Sequence, residues 1–449
     1  MVQASGQKLI IGLGKTGLSC LQFLLQQGIS SLAIVDSREQ PPGLEQLRTQ
    51  FPQIISHLGR FDQELLQQAQ ELIISPGVSR AEPAIASCIA RGIPVIGDIE
   101  IFARHVKAPV VAITGTNGKS TVTELVGAMV RDAGWRVKVG GNLGTPALEL
   151  LDGEPTDCYV LELSSFQLET TSSLHPAAAV VLNIAPDHLD RYRNMDEYID
   201  AKQRIYTACQ TPIINRDDRI SYRGLSDISH ATSFTLREPA TPEEFGLRST
   251  HQGLFLAQGE KNLLLVQELQ IKGRHHWANA LAALALGQTI GLPLSSMLQT
   301  LRTFPGLPHR CQWVTRHKRV DWYNDSKATN VVSCIAALEG LGKPGVNQLI
   351  LIAGGLGKQQ DFSPLQKPVL EYVRTVILLG RDAPLIEQAL HKKSKVLHAT
   401  SMLEAVNLAR QEAQTGDIVL LSPACASFDM FDNFEHRGEV FMAHVRELT

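Results

Sequence analysis

Several things are missing from this sequence, and each absence closes off a class. Seven cysteines are scattered through 449 residues, with no C-x-x-C pair and an odd total. Reduced thiols of a cytosolic protein account for that more simply than a disulfide or zinc framework. Acidic and basic residues nearly balance, leaving a formal net charge of -3, so the basic excess of a nucleic-acid-binding protein is absent. No apolar run reaches the length of a membrane span. The first residues lack a basic segment followed by an apolar core, so no signal peptide is expected and the expected location is cytoplasmic. Low-complexity stretches and short repeats are also lacking. What is left is an ordinary globular composition in a chain long enough for two to four domains.

One local pattern stands out in that background, "VAITGTNGKSTVTELVGAM", from Val111 to Met129. Val110, Val111, Ala112 and Ile113 form a short apolar run that predicts a buried strand. Gly115 and Gly118 allow a tight turn with inward-pointing N–H groups. A helix is expected from Ser120, with Val122, Leu125, Val126, Met129 and Val130 on one face and Gly134 at its far end. A phosphate would sit at the helix N-terminus, within Lys119's reach, and the Ser120 hydroxyl could take Mg²⁺. The usual loop reads G-x-x-x-x-G-K-[ST], but Ile113 stands at its first glycine. The plain alternative is a glycine-rich turn before a surface helix.

Three regions are expected. Residues 1–101 begin with "KLIIGLGKTG", a strand followed by Gly12-x-Gly14-x-x-Gly17 and a helix through Phe23 and Leu24. "LAIVD" ends at Asp36, and "ELIISPGV" and "IPVIGD" add strands, so a parallel Rossmann-type sheet is predicted. The fingerprint with an acid about 20 residues on suits NAD, and equally any other pyrophosphate. Residues 102–306 contain the phosphate loop. "CYVLELSSFQLE" puts Glu162 near the end of an apolar strand. "AAVVLNIAPDHLDRY" is a strand followed by a loop with Asp187, His188 and Asp190, where His188 is either an ordinary loop histidine or a site residue. "MDEYIDAKQRIYTAC" reads as a helix with Tyr198, Ile199, Ile205 and Tyr206 on its apolar face. Lys202 shares that face. Spacing alone favours a snorkelling lysine; the alternative is a buried neutral amine able to add CO₂ and become a carbamate. Residues 230–272 read as short strands, and "GRHHWANALAALALGQTIG" as helix with Asn279 in its first turn. Residues 307–449 alternate strand and loop again through "VDWYNDSKATN", "LILIAGGLGK", "TVILLG" and "DIVLLSPACASF". Cys425 in the last of these is expected to be packed rather than nucleophilic.

Taken together, "ITGTNGKST", "LELSSFQLE", "NIAPDHLDRY", "AKQRIY", "GLPHR", "NDSKATN" and "SPACASFDMFDNFEHRG" resemble the Mur ligases along nearly the whole chain and in the same order. The loop marks the superfamily, which includes folylpolyglutamate synthases, and the later stretches resemble its D-glutamate-adding branch. The resemblance implies a three-domain α/β protein: a Rossmann-like N-terminal domain for a UDP-sugar, a central P-loop ATPase-like domain, and a C-terminal Rossmann-like domain. It implies ATP-dependent joining of D-glutamate to UDP-N-acetylmuramoyl-L-alanine through an acyl phosphate; a monomer is expected.

Under that resemblance Gly115, Thr116, Asn117, Gly118, Lys119, Ser120 and Thr121 hold ATP phosphates, with Mg²⁺ on Ser120. Glu162, His188 and a carbamylated Lys202 would bind a second Mg²⁺. Gly14, Thr16, Asp36, Ser37, Arg38 and Asn142 would meet the UDP substrate, with His188 also near it. Asn279, Arg310 and Asp325 match ATP contacts. Lys327, Thr329, Lys358, Ser427 and Phe434 match the D-glutamate site. Lys119, Glu162, His188, Lys202 and Arg310 would carry the catalysis. Two positions depart from the pattern: His276 stands where Asn is found near the adenine, and Leu356 replaces Asp in the "GG-x-GK" loop. The rival readings are a folylpolyglutamate-type ligase without a UDP site, an NAD-dependent dehydrogenase, and a non-catalytic nucleotide-binding regulator.

Overall fold

The computed structural model describes residues 6–188, 191–271, 273–342, 349–390 and 394–448. Asp190 lies outside them. The fold divides into two compact units. One is Met1–Gly246 with Gln258–Glu260 and Ala282–Thr300; the other is Leu247–Ala257 with Lys261–Leu281 and Leu301–Thr449.

The first unit opens with a parallel sheet in the order Ile55–Leu58, Leu32–Asp36, Lys8–Ile11, Glu71–Ile74, Val95–Ile96. Its central strands are near-continuous apolar runs because both faces are covered, as parallel sheets require. Strand order reverses between Lys8–Ile11 and Glu71–Ile74, so the loops after those two strands open a crevice, which is where such sheets take ligands.

A second parallel array in the same unit runs Thr232–Phe234, Thr211–Asn215, Ala178–Val181, Val110–Thr114, Cys158–Glu162, Val137–Gly141. The helix Lys119–Asp132 packs on it. Val122, Leu125, Val126, Met129 and Val130 have no exposed surface. Full burial of such a side chain stabilises by about 1.5–3 kcal/mol, which fixes the helix's N-terminus at the strand ends. The helix starts one residue earlier than the expected Ser120, because Gly118 in the left-handed region caps it. Gly134 follows its end at φ +84°. The Lys202 helix is shorter than its pattern suggested. Met195–Gln203 is α-helical, and Arg204–Tyr206 tightens into a 3₁₀ turn that still buries Ile205 and Tyr206.

In the second unit the sheet order is Gln312–His317, Val320–Asn324, Ile418–Leu421, Leu349–Ala353, Val373–Leu378, Lys395–His398. The first pair is antiparallel and the others are parallel. The sheet is covered on one side by Cys334, Leu338 and Val369 and on the other by Met402, Val406, Phe441 and Val445.

Candidate active site

In the first unit, three adjacent strands end together. Val110–Thr114 leads into Gly115–Lys119, Cys158–Glu162 ends on Glu162, and Ala178–Val181 leads to Asn183 and His188. Gly115 has φ +151°, and a Cβ there would sit 3.2 Å from the Leu182 backbone nitrogen, so the loop has no room for a side chain. Lys119 Nζ donates to the Gly115 and Thr116 carbonyls, each at 2.9 Å, which lays the cation along the loop. Ser120 and Thr121 are buried in the helix's first turn.

The side chain that shapes this loop is one the sequence did not single out. Asn183 Oδ1 accepts from the Asn117 amide at 2.9 Å, and its Nδ2 donates to the Asn117 carbonyl at 3.0 Å. Its own carbonyl accepts from Thr116 N at 2.9 Å. Thr116 Oγ1 in turn meets Tyr198 OH at 3.0 Å, tying the loop to the Lys202 helix.

Lys202 is 2% exposed. Its amine donates to the Gly115 carbonyl at 2.9 Å and lies 4.8 Å from the Tyr198 ring centre. Burial, followed by the charge of Lys119, pushes its pKa well below the usual lysine value; Asp187 and Glu162 act the other way. The snorkelling reading is therefore overturned: the head group is inside, because the helix face carrying it packs against the phosphate loop. Glu162 is 3% exposed and accepts from Asn142 Nδ2 at 2.7 Å. His188 is half-buried at φ +55°, its ring edge-on to Phe166 at 4.9 Å and its Nε2 3.7 Å from Asp187 Oδ2.

A cleft of about 580 Å³ lies at the first sheet's switch point, and Gly14, Thr16, Asp36, Ser37, Arg38 and Asn142 all line it. Gln167 lines it too and was not singled out from sequence. It caps its own short helix with Ser164 and donates to Asp98 Oδ2 at 3.0 Å. Burial pushes the Asp98 carboxyl up to about 6 despite that bond. Burial pushes Asp36 up as well, but bonds from the Arg38 side chain and the Leu13 and Arg38 amides outweigh it and leave its pKa lowered.

In the second unit, Asn279 and His276 are neighbours on the helix Arg274–Thr289, with Asn279 Nδ2 3.5 Å from His276 Nδ1. Arg310 acts electrostatically on both His276 and Asp325. Asp325 is buried, accepts from Ser422 Oγ at 2.7 Å and from Cys311 N at 3.1 Å, and burial pushes its pKa up to about 7. Lys327 Nζ sits 3.8 Å over the Phe434 ring, and the Thr329 amide donates to the Lys327 carbonyl at 2.8 Å.

Lys358 and Ser427 are on loops joined by a two-way backbone bridge between Leu356 and Ala426, at 2.9 Å each way. Position 356 contributes main chain there, which an apolar side chain permits. Arg437 is another residue missed from sequence. Only 2% exposed, it donates to Ser326 Oγ, Ser326 O and Cys425 O, bracing the Ser326 loop against the Cys425 loop, while burial lowers its pKa to about 10.

A phosphate-binding strand–loop–helix, a switch-point cleft beside it and a separate α/β unit carrying Lys and Ser loops define a nucleotide-dependent α/β enzyme. Three family models match the chain: Mur ligase MurD-like, N-terminal domain over residues 6–97; Mur ligase middle domain over 113–287; and Mur ligase, glutamate ligase domain over 309–425. The chain belongs to the Mur ligase family. It is 52% identical over 446 residues to the UDP-N-acetylmuramoylalanine–D-glutamate ligase of Nitrosococcus oceani, covering 99% of this chain and 98% of that one. Relatives of the same name from Coxiella burnetii (53% over 439 residues, 98% of each chain) and Marinobacter nauticus (50% over 448 residues, 100% of each) are similar. Among solved structures, the fold is shared with a pseudomurein peptide ligase type C from Methanothermus fervidus, with TM-score 0.62, 19% identity, and coverage of 99% of this chain and 100% of that one. It is also shared with the UDP-N-acetylmuramate-alanine ligase of Thermotoga maritima, with TM-score 0.60, 16% identity, and coverage of 99% and 100%.

Proposed function

We propose that this chain is an ATP-dependent ligase that adds D-glutamate to UDP-N-acetylmuramoyl-L-alanine in peptidoglycan precursor synthesis. The observation that carries the reading is its full-length likeness, at 50% identity or above, to relatives named for that reaction. The domains are taken as 1–101, 102–306 and 307–449. A cytoplasmic monomer is the simplest form; among the described residues no helix is long and apolar enough to cross a membrane.

The muramoyl-L-alanine carboxylate attacks the γ-phosphorus of ATP, the bond to ADP breaks, and an acyl phosphate forms. The D-glutamate amine adds to the acyl carbonyl, loses a proton, and phosphate leaves. Phosphoryl transfer needs positioning and charge neutralisation more than covalent help. The loop amides from Gly115 to Ser120 and the Lys119 ammonium supply both, aided by the helix N-terminus. Arg310, Asn279 and Asp325 of the second unit are the proposed ATP contacts. Lys327, Thr329, Lys358, Ser427 and Phe434 are the proposed D-glutamate contacts. The cleft of Gly14, Thr16, Asp36, Ser37, Arg38 and Asn142 is the proposed UDP site.

The donor set suits Mg²⁺. Ser120 and Glu162 offer hard oxygens, and an unmodified Lys202 ammonium would oppose a cation. Its buried, pKa-lowered amine suits CO₂ addition: nitrogen bonds to the CO₂ carbon and a proton leaves, giving a carbamate. Lys202, Glu162 and His188 would then hold a second Mg²⁺, and Ser120 the first. When bound, the ions neutralise phosphate charge.

Phosphate release from ATP with UDP-N-acetylmuramoyl-L-alanine tests the reading, comparing D-glutamate, L-glutamate and L-lysine as acceptors. Release with D-glutamate alone is expected. Equal rates with the L enantiomer, or no release with any acceptor, would overturn it.

A further inference from the structure

Outside the proposed chemistry, one side-chain cluster in the second unit has the makings of a metal site. His275, His276 and Cys311 each bring one ligand atom, and all three atoms lie within 4.8 Å of one another. Two ligands of one tetrahedral zinc ion sit about 3.3–3.7 Å apart, given bonds of about 2.0–2.1 Å to nitrogen and about 2.3 Å to sulfur. Cys311 Sγ is already 3.9 Å from His275 Nε2. Small rotations about χ1 and χ2 close the remaining gap.

The two rings are oriented and uncharged as ligands must be. His275 Nδ1 is 3.2 Å from the Ala336 carbonyl, so its proton has an acceptor there and the Nε2 lone pair faces the sulfur. A ring N–H held by a backbone carbonyl is the usual way a metal-binding histidine is oriented. The His276 Nδ1 contact to Asn279 is long, at 3.5 Å, so little is lost if that ring turns to a metal. Both imidazoles are kept neutral at ordinary pH by burial, His275 down to about 4. Cys311 is held in the left-handed region at φ +43°, with its amide donating to Asp325 Oδ1 at 3.1 Å, so its thiol direction is set by the backbone.

We propose that His275, His276 and Cys311 form a binding site for a soft divalent cation, Zn²⁺ foremost, with a fourth position left to water. Binding exchanges the thiol proton for the metal: the S–H bond breaks, a sulfur–metal bond forms, and one proton enters solvent. Arg310 is Cys311's chain neighbour and Asp325 takes its amide bond. A bound ion fixes the turn that carries Arg310 and is hydrogen-bonded to Asp325, so zinc is expected to change ATP affinity. The inference concerns a thiolate site and does not depend on the proposed Mg²⁺ donors, which are oxygens and the His188 imidazole and include no sulfur.

The test is Co²⁺ titration of the full, tag-free, reduced chain, read by absorption. A thiolate ligand gives an intense near-ultraviolet charge-transfer band, and tetrahedral geometry gives strong visible bands. Co²⁺ at the proposed Mg²⁺ positions has no sulfur ligand and gives no such charge-transfer band. We expect one equivalent of tetrahedral, thiolate-bound Co²⁺, displaced by Zn²⁺ with about one proton released per ion at a pH where the thiol is protonated. Changing outer-sphere partners alone costs about 10–100-fold in affinity, so Cys311→Ser should abolish the charge-transfer band and weaken Zn²⁺ binding by about 100-fold or more. Cys209→Ser, at the other partly exposed cysteine, should leave the band intact, and circular dichroism checks that both variants fold. Absence of the band in the parent chain, or its survival in folded Cys311→Ser, would overturn the site.

Discussion

Asn183→Ala is the perturbation that most directly tests how the phosphate loop is held. The asparagine contributes two side-chain bonds, both to Asn117, at 2.9 and 3.0 Å. Its backbone bond to Thr116 survives the substitution. A hydrogen bond of this kind contributes about 0.5–1.5 kcal/mol net, so two give about 1–3 kcal/mol. The site is partly buried and water can enter where the amide was, which places the loss in the lower half of that range. A change of about 1.4 kcal/mol is tenfold in an equilibrium constant. If the bonds pre-form the loop for phosphate, that loss appears in nucleotide affinity, because the free loop must then be ordered by ATP itself.

The assay is ATP titration in steady-state phosphate release, with calorimetric ATP affinity beside it. About a tenfold rise in KM and Kd for ATP is expected, with a smaller fall in kcat, since the Lys119 and Ser120 side chains are untouched. Asn183→Asp separates acceptor from donor: it keeps the bond from Asn117 N and sets a carboxylate oxygen against Asn117 O, so it should be at least as damaging. If Asn183→Ala binds ATP within twofold of the parent, the loop is shaped by its glycines alone and the reasoning fails.

Other perturbations follow from the same geometry. Lys119→Ala should lower kcat by at least about 10²–10³-fold with circular dichroism unchanged; near-normal ligation would remove the loop from the mechanism. Lys202→Ala should cripple turnover, and acetate or formate should partly restore it; full activity without additive would refute the carbamate. Glu100, 2% exposed, accepts from the amides and hydroxyls of Ser172 and Ser173 and from Arg104; burial raises its pKa, but these bonds win and lower it from 4.5 to about 2. The stabilisation is present above the unfolded value and lost as pH falls from about 4.5 toward 2, and at about 1.4 kcal/mol per unit it is of order 3 kcal/mol. In denaturant melts from pH 7 to 3, Glu100→Gln should start less stable than the parent and lose less; parallel curves would refute the assignment.

What the sequence disclosed was whatever is local. The phosphate loop could be read because strand, glycines, Lys-Ser and helix lie within about 25 residues and each has its own chemical signature. Lys202 could be placed on an apolar face from spacing, but whether its amine reached water depended on a loop 87 positions away in the chain. Asn183 was out of reach for a similar reason: its partner lies 66 residues off, and an asparagine after a strand has many ordinary uses. Arg437 was hidden behind its charge, since nothing in a helix pattern says that a guanidinium will be spent on carbonyls of two loops. Leu356 looked like a lost carboxylate because sequence displays side chains, while the structure uses its backbone.

The glycine fingerprint shows how far a motif goes before geometry must decide. Gly17 is fixed by packing: a Cβ there would sit 2.0 Å from the Gly12 carbonyl oxygen. Gly14 is different, since a Cβ would meet nothing within 4 Å and the position faces the open cleft. Packing does not demand that second glycine, whereas close approach by a ligand's phosphate would. The acid at the end of the second strand is where a dinucleotide reading needs a free acceptor for a ribose hydroxyl. A carboxylate offers about four acceptor positions. Asp36 accepts from Leu13 N, Arg38 N, Arg38 Nε and Arg38 Nη2, all within 2.7–2.9 Å. A ribose would have to displace one of these bonds, and with it the brace that holds Ser37 and Arg38 at the cleft wall. In this chain the acid sets the shape of the turn that lines the cleft, which accords with the proposed UDP site better than with a dinucleotide one.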